Sequence, residues 1–130
     1  MTVLDASALL TMLFREPGAD EVRATLGDAA MSVANVAEVA ATYRDLGLSS
    51  SDLVSQLPRL GIMIEPVTTD DAVLQADVRE RDVLDNAGRP QLSLGDRLCL
   101  ALAMRLDSPA LTADRAWGRL DLPIPVVQLR

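Results

Sequence analysis

The sequence predicts an α/β fold, a three-layer α/β/α sandwich around a five-stranded, mainly parallel sheet. Short apolar runs alternate with longer amphipathic ones, which is the pattern of parallel strands connected by helices. The length of 130 residues suits one domain with one core. We find no internal repeat, low-complexity segment or linker in the sequence. We therefore expect a single domain over residues 1–130.

Each element is predicted from a local pattern. Short runs rich in apolar residues predict strands at residues 2–4, 30–33, 62–67, 110–112 and 125–129. Amphipathic stretches predict helices at residues 7–16, 19–27, 35–47, 49–61, 70–88 and 94–106, with a further short helix after the fourth strand. Several of these helices end at a glycine, a common residue at helix C-termini. In a sheet of this kind the carboxyl ends of the strands meet at one edge, where ligands bind.

Four acidic residues from distant segments fall at that edge. Asp5 closes the first strand, Glu38 lies in the second turn of the helix after the second strand, Asp96 lies in the first turn of the helix before the fourth strand, and Asp114 follows the fourth strand. Asp5 and Asp96 have mainly apolar neighbours, and a buried carboxylate needs a cation or several donors to stay charged. Oxygen ligands without histidine or thiolate suit Mg²⁺ or Mn²⁺. The set predicts a metal site for phosphate chemistry.

The composition excludes several other kinds of site. The chain has no histidine and only one cysteine, Cys99, which excludes the usual zinc sites, histidine-based catalysis and an internal disulfide. All 12 basic residues are arginines, so there is no lysine for a phosphate-binding loop or a Schiff base. The net charge of -7 argues against a broad basic surface for nucleic acid, although bound cations would change the charge near the site. Since we find no signal-peptide pattern and no membrane-spanning run, we expect a cytoplasmic protein.

Each acid also has a structural interpretation. Asp5 and Asp114 lie where helix N-caps accept hydrogen bonds from free backbone amides. Asn35 with Glu38 has the spacing of a capping box, and so has Ser93 with the third acid of the set. Capping explains any single acid as well as metal binding does, so the metal-site hypothesis rests on the four acids together.

The segments that carry these acids resemble a known family. "VLDASALL", "SVANVAEV", "LSLGDRLCLALA" and "ALTADRAW" are similar to the PIN-domain ribonucleases, specifically the VapC-type toxins of bacterial toxin-antitoxin pairs. The resemblance covers essentially the whole chain. It implies a Mg²⁺- or Mn²⁺-dependent endoribonuclease, usually a homodimer, that a cognate antitoxin holds inactive. The four acids match the family's acidic quartet, and Ser7 and Thr112 match polar positions that orient carboxylates or water. Asp121 stands where we expect a neutral residue.

The predicted mechanism combines the resemblance with the composition. Because no histidine can take a proton, we expect metal-activated water to attack phosphorus in line and leave a 5′-phosphate. Arg15, Arg97 and Arg115 lie near the acids in the sequence and are candidate contacts for flanking phosphates of the RNA. A surface ion pair with a neighbouring acid explains each of them equally well.

Two other classes of function compete with this interpretation. A receiver-type phosphate-binding domain has a similar length and an acidic pocket at the same edge, but it uses a lysine that this chain lacks. A haloacid-dehalogenase-type phosphatase is excluded for the same reason, and because "LDAS" lacks a second aspartate two residues after the first. A catalytically weak PIN-like binding module is the remaining alternative, and the presence of all four acids argues against it.

Several apolar residues invite a functional interpretation. Cys99 and Trp117 are predicted to be packing residues. Leu9, Leu13 and Phe14 recur at helical spacing on the first helix and form either part of the core or a docking face for an antitoxin segment. We further expect that an antitoxin inhibits by placing an arginine or lysine among the four acids, as the family resemblance implies.

Overall fold

The structure, a computed structural model, describes residues 1–82 and 84–130. Within them one sheet of five strands has the order β3-β2-β1-β4-β5, and every neighbouring pair is parallel. The strands are β1 (Thr2–Leu4), β2 (Ala29–Ser32), β3 (Ile62–Glu65), β4 (Ala110–Thr112) and β5 (Val126–Gln128). The predicted α/β fold with a five-stranded parallel sheet is confirmed.

Helices connect the strands in the predicted order. They are α1 (Ala6–Leu13), α2 (Ala19–Arg23), α3 (Val33–Asp45), α4 (Ser50–Gln56), α5 (Thr69–Glu80) and α6 (Leu94–Arg105). Two 3-10 helices, Pro58–Leu60 and Arg115–Arg119, precede β3 and follow β4. Within the described ranges, no helix is both long enough and apolar enough to cross a lipid bilayer.

Both faces of the sheet are covered by helices. Successive strand residues point to opposite faces, and each set packs against its own group of helices. Leu4 of β1 and Leu111 of β4 pack in a cluster with apolar side chains of α1 to α4. Val3 and Ala110, one residue earlier in the same strands, pack in a second cluster with side chains of α5 and α6. The two clusters make the molecule a three-layer sandwich.

The central strand, β1, brings the candidate site together. Its neighbours are β2 on one side and β4 on the other, with Val3 opposite both Ala30 and Ala110. The segments that leave the carboxyl ends of β1, β2 and β4 therefore start side by side at one edge of the sheet. They carry Asp5, α3 and Asp114.

Several predicted helices extend past the observed ends: the helix predicted at 7–16 ends at Leu13, and the one predicted at 19–27 ends at Arg23. The helix predicted at 70–88 ends at Glu80. In the last part of the predicted range, Asp85 Oδ1 accepts the backbone amides of Ala87 and Arg89 and holds a turn in place of helix. Val83, within that predicted range, lies outside the described residues. The helix predicted at 49–61 ends its α-helical part at Gln56, since Pro58 has no amide hydrogen to continue it.

The second strand and the helix after it meet earlier than predicted. Ser32 ends β2 and is the N-cap of α3, where its Oγ accepts the amide of Ala34 at 3.2 Å. The helix therefore begins at Val33 and not at Asn35. This placement makes the predicted Asn35–Glu38 capping box wrong, because both residues lie inside the helix.

Candidate functional site

Asp5, directly after β1, is the most buried of the four acids, with 3% of its surface exposed. Its Oδ2 accepts hydrogen bonds from Ser7 Oγ at 2.6 Å and from Thr112 Oγ1 at 3.0 Å. The amide of Ala113 donates to Ser7 Oγ, and the amide of Asp114 donates to Thr112 Oγ1, both at 3.0 Å. Because an ionised carboxylate can only accept, each hydroxyl directs its own hydrogen at Asp5. Both hydroxyls use one carboxylate oxygen, and neither occupies Oδ1.

The environment of Asp5 opposes its negative charge. Burial raises the pKa of Asp5 above its usual range, and the hydrogen bonds from Ser7 and Thr112 offset this only in part. Although Asp5 stands at the N-cap position of α1, its side chain makes no capping hydrogen bond. The predicted side-chain cap is therefore absent at Asp5, although the nearby backbone amides of Ala6 and Ser7 also lower its pKa.

Asp96 lies in the first turn of α6 and is half-buried. It forms the predicted capping box: the amide of Ser93 donates to Asp96 Oδ2 at 2.9 Å, and the amide of Asp96 donates to Ser93 Oγ at 3.1 Å. Burial raises the pKa of Asp96 to about 6, and the negative charges of Asp5 and Asp114 contribute to the shift. These charges place Asp96 within the electrostatic reach of two other acids of the set.

Glu38, on α3, is solvent-exposed but is held from one side. Asn35 Nδ2 donates to Glu38 Oε1 at 2.9 Å and also to the backbone oxygen of Gly95 at 3.1 Å. Loss of water around the carboxylate raises the pKa of Glu38, and the charge of Asp5 adds to this effect. Glu38 therefore shares the electrostatic environment of the buried acid.

Asp114 is half-buried at the start of the 3-10 helix after β4. Its Oδ1 accepts the amide of Ala116 at 2.9 Å, so the predicted N-cap role is confirmed. Its amide also donates to Thr112 Oγ1, which joins it to the hydroxyl that binds Asp5. The N-cap role therefore does not conflict with the place of Asp114 in the predicted set of four acids.

The four acids supply the oxygen donors that a hard divalent cation prefers. In the part of the chain that the structure describes, no three of its acidic side chains are close enough together to enclose one ion. Three of them nevertheless have raised pKa values, and like charges contribute for two of the three. A cation would relieve this repulsion and draw the carboxylates together, so the residues fit a divalent metal.

The three predicted phosphate contacts lie in different surroundings. Arg97 is half-buried, where its Nε donates to Gln75 Oε1 at 2.9 Å and its Nη1 donates to the backbone oxygen of Leu92 at 3.0 Å. Arg15 and Arg115 are exposed. A role in binding phosphate stays a prediction for all three.

Other singled-out residues lie in the core or at the surface. Cys99 and Trp117 are fully buried, as predicted for packing residues. Leu9 is also fully buried, so including it in a docking face was wrong, whereas Phe14 keeps 39% of its surface exposed. Asp121 is exposed, and its backbone oxygen accepts a hydrogen bond from Arg81.

Sequence reasoning missed the residues that hold Glu38. Asn35 donates to its carboxylate, and the missing side chain of Gly95 leaves space for it, but the spacing of Asn35 and Glu38 suggested a capping box. Asn35 and Glu38 are in contact because they lie one helical turn apart on α3. Gly95, whose backbone oxygen also accepts from Asn35, lies 60 residues later in the chain. The spacing of three residues was the available signal.

Comparisons with known proteins point to one family. A family model described as the PIN domain matches residues 2–122. A toxin-antitoxin complex from Klebsiella pneumoniae has a chain with a TM-score of 0.72 and 15% identity, covering 96% of this chain and 99% of that one. DNA-bound VapBC from Salmonella typhimurium gives 0.72 and 14%, with 99% and 98% covered.

A third similar structure is described by its activity. VapC20 from Mycobacterium tuberculosis, a sarcin-ricin loop cleaving toxin, has a TM-score of 0.66 and 13% identity, covering 91% of this chain and 93% of that one. No match was found among curated proteins.

Proposed function

Because this chain belongs to the PIN domain family, we propose that it is a Mg²⁺- or Mn²⁺-dependent endoribonuclease and the VapC-type toxin of a toxin-antitoxin pair. The observation that carries the proposal is the arrangement around Asp5: a buried carboxylate, fixed by two hydroxyls, within electrostatic reach of Asp96 and Glu38. Such an arrangement destabilises the metal-free protein and is explained by a bound cation.

In this proposal the four acids hold the metal, and each has a distinct position. Asp5 supplies the fixed carboxylate, since Ser7 and Thr112 set its orientation. Asp96 and Asp114 each bind a backbone amide through one oxygen, which keeps the carboxylates at the sheet edge. Glu38 approaches from α3, across from the first turn of α6.

The proposed cleavage chemistry follows from the four carboxylates and from the absence of histidine in the sequence. A bound divalent ion lowers the pKa of water and offsets charge on the phosphate. Water attacks phosphorus, the bond to the 3′ oxygen breaks, and that oxygen takes a proton, so the second fragment keeps a 5′-phosphate. The ribose 2′-hydroxyl is not needed as nucleophile. The arginines at 15, 97 and 115 are proposed to hold flanking phosphates of the RNA.

The partners are part of the same proposal. The structural neighbours include chains described as a toxin-antitoxin complex and as VapBC bound to DNA, which supports a cognate antitoxin as partner. Leu13 and Phe14 remain the proposed docking residues for an antitoxin segment, since both keep solvent contact. We propose an RNA substrate, a homodimer and a cytoplasmic location, in one nuclease domain over residues 1–130.

The proposal is tested by incubating a mixed RNA pool with the protein in Mg²⁺, in Mn²⁺ and in EDTA. We expect cleavage with either metal, fragments with 5′-phosphates, and no cleavage in EDTA. Asp5→Asn should abolish cleavage, whereas Asp45→Asn, the same charge change at the exposed C-terminus of α3, should not.

Two results would overturn the proposal. Cleavage in EDTA, or by Asp5→Asn at the wild-type rate, would show that the acids do not act through a metal. Binding of RNA without cleavage in either metal would favour the catalytically weak binding module.

A further inference from the structure

Asn35 is buried in α3 with 0% of its surface exposed, and its amide joins two helices. Nδ2 donates to Glu38 Oε1 at 2.9 Å within α3 and to the backbone oxygen of Gly95 at 3.1 Å in the first turn of α6. A backbone oxygen can only accept, so the amide nitrogen must face this pair. The Glu38 carboxylate is thereby held beside the helix turn that carries Asp96.

The stability of the fold does not explain this asparagine. Among the described residues, its Oδ1 is buried and has no hydrogen-bond partner. An unpaired buried acceptor destabilises the folded state, and an apolar residue of similar volume would avoid this cost. The residue type is explained by what its Nδ2 holds.

Gly95 provides the space that Glu38 occupies. A Cβ at Gly95 would overlap Glu38 Oε1 and would lie 2.8 Å from Glu38 Cδ. Glycine is a poorer helix former than alanine, so the helix itself does not favour it at this position. The missing side chain is therefore matched to the position of the carboxylate.

We propose that Asn35 and Gly95 are positioning residues of the metal site: Asn35 holds the Glu38 carboxylate against the first turn of α6, and Gly95 leaves the space for it. The inference rests on the proposed function, because Glu38 is there a metal ligand. It extends that function to two residues that touch the ligand and not the metal.

Gly95→Ala is the sharper test. The added methyl group meets the far end of a flexible side chain, so the fold should keep its stability while Glu38 is displaced. Removing a residue that orients a ligand reduces metal affinity by about 10- to 100-fold. We expect a loss of this size in Mn²⁺ affinity, measured by calorimetry, together with slower RNA cleavage.

Asn35→Leu tests the second residue and is read in a double-mutant cycle. Alone it should reduce Mn²⁺ affinity about as much as Gly95→Ala does. In a Glu38→Gln background, neither substitution should reduce the affinity further, because the ligand that they position is already altered. Additive losses in that background would overturn the proposed role. If Asn35→Leu does not fold, Gly95→Ala carries the test.

The control separates a positioning role from a structural one. Ser108→Ala removes a buried hydroxyl that bonds the backbone oxygen of Leu106, at the opposite end of α6 from Asp96. It should lower thermal stability without changing Mn²⁺ affinity. If the wild type and this control bind Mn²⁺ and cleave RNA, but Gly95→Ala and Asn35→Leu bind as tightly, the inference falls and the proposed function stands. If the wild type binds no Mn²⁺, both fall.

Discussion

Two capping boxes on consecutive helices place the same local motif in opposite electrostatic surroundings. At the start of α5, Thr68 and Asp71 exchange backbone hydrogen bonds, and at the start of α6 Ser93 and Asp96 do the same. Burial alone would raise the pKa of Asp71, but the hydrogen bonds from Arg105 and Thr68 bring it below its usual range. The pKa of Asp96 is raised to about 6.

The two aspartates differ in pKa because, in the described part of the chain, only Asp71 has an arginine partner, whereas both make the same capping hydrogen bonds. Arg105 donates to Asp71 Oδ1 at 2.8 Å through Nε and to Oδ2 at 3.2 Å through Nη2. Asp96 makes no ion pair among the described residues and lies near Asp5 and Asp114 instead. A buried acid paired with an arginine serves the fold, whereas a half-buried acid near other acids is what the proposed metal site requires.

The largest expected effect is on activity at the second box. Asp96→Asn keeps an oxygen for the Ser93 amide but removes a proposed metal ligand, so RNA cleavage should fall by about a thousandfold. Asp71→Asn should leave the cleavage rate of the folded protein within about threefold of wild type, because it stands outside the acidic set. Single-turnover rates in Mn²⁺ compare the two. Equal losses in both variants would remove the distinction between the boxes.

The second-largest expected effect is on protein stability, at the capping box of α5. Arg105→Leu leaves the Asp71 carboxylate, 2% exposed, without its counter-charge and should lower the free energy of unfolding by about 3 kcal/mol. Arg79→Leu, at an exposed position of the same helix pair, should change it by less than about 0.5 kcal/mol. Urea unfolding at neutral pH measures both. A loss below about 1 kcal/mol for Arg105→Leu would show that solvent screens the pair.

The pH dependence of stability should have opposite signs at the two boxes. The folded-state pKa of Asp96 is raised from 3.8 to about 6, so its charge destabilises the metal-free fold. The folded state therefore favours the protonated form of Asp96. The stability that this form contributes is complete below pH 3.8 and is lost as the pH rises through about 6. After allowance for solvent screening of a half-buried group, the loss is about 1–2 kcal/mol. For Asp71, whose pKa is lowered, stability is lost as the pH falls.

The contribution of Asp96 is measured by unfolding the wild type and Asp96→Asn in EDTA at several pH values between pH 4 and pH 7. The difference in their unfolding free energies isolates Asp96 from the other acids. We expect the variant to be the more stable protein at pH 7 and the advantage to disappear at pH 4. A constant difference over this range would mean that Asp96 does not titrate as the structure indicates.

The smallest expected effects come from the caps themselves. Thr68→Ala and Ser93→Ala each remove one hydrogen bond to an N3 amide and should each lower the unfolding free energy by about 1 kcal/mol. Only Ser93→Ala should also slow RNA cleavage, because it frees the backbone turn that carries Asp96. Thermal denaturation and cleavage rates for the two variants test this asymmetry, which vanishes if Ser93→Ala cleaves at the wild-type rate.

The fold was predictable because its signals are local. Apolar runs identified all five strands within one or two residues, and Thr2–Leu4 and Ala110–Thr112 match the predicted bounds. Errors occurred where a side chain ended or started an element: Asp85 holds a turn inside the predicted helix 70–88, and Ser32 starts α3 two residues early. Single hydrogen bonds of this kind leave little trace in periodicity.

For the candidate site, the sequence predicted only a set of acids at one edge of the sheet. Their order along a parallel sheet indicated convergence, and the charges of Asp5 and Asp114 that act on Asp96 agree with it. The contact of Asn35 with Gly95 was not predictable, since it joins residues 60 apart in the sequence. The capping boxes at Thr68 and Ser93 also have the same sequence pattern. The residue that distinguishes them, Arg105, lies 34 residues after Asp71 and is not part of either pattern.

The hydroxyl contact at Asp5 has a consequence for the chain during its synthesis. Thr112 is 107 residues downstream of Asp5, and β4 must insert beside β1 before the two side chains meet. A ribosome therefore finishes most of this protein before the buried carboxylate is oriented. Nascent chains and fragments that stop before β4 lack this contact, so under the proposed function the geometry of the sheet delays nuclease activity until translation is nearly complete.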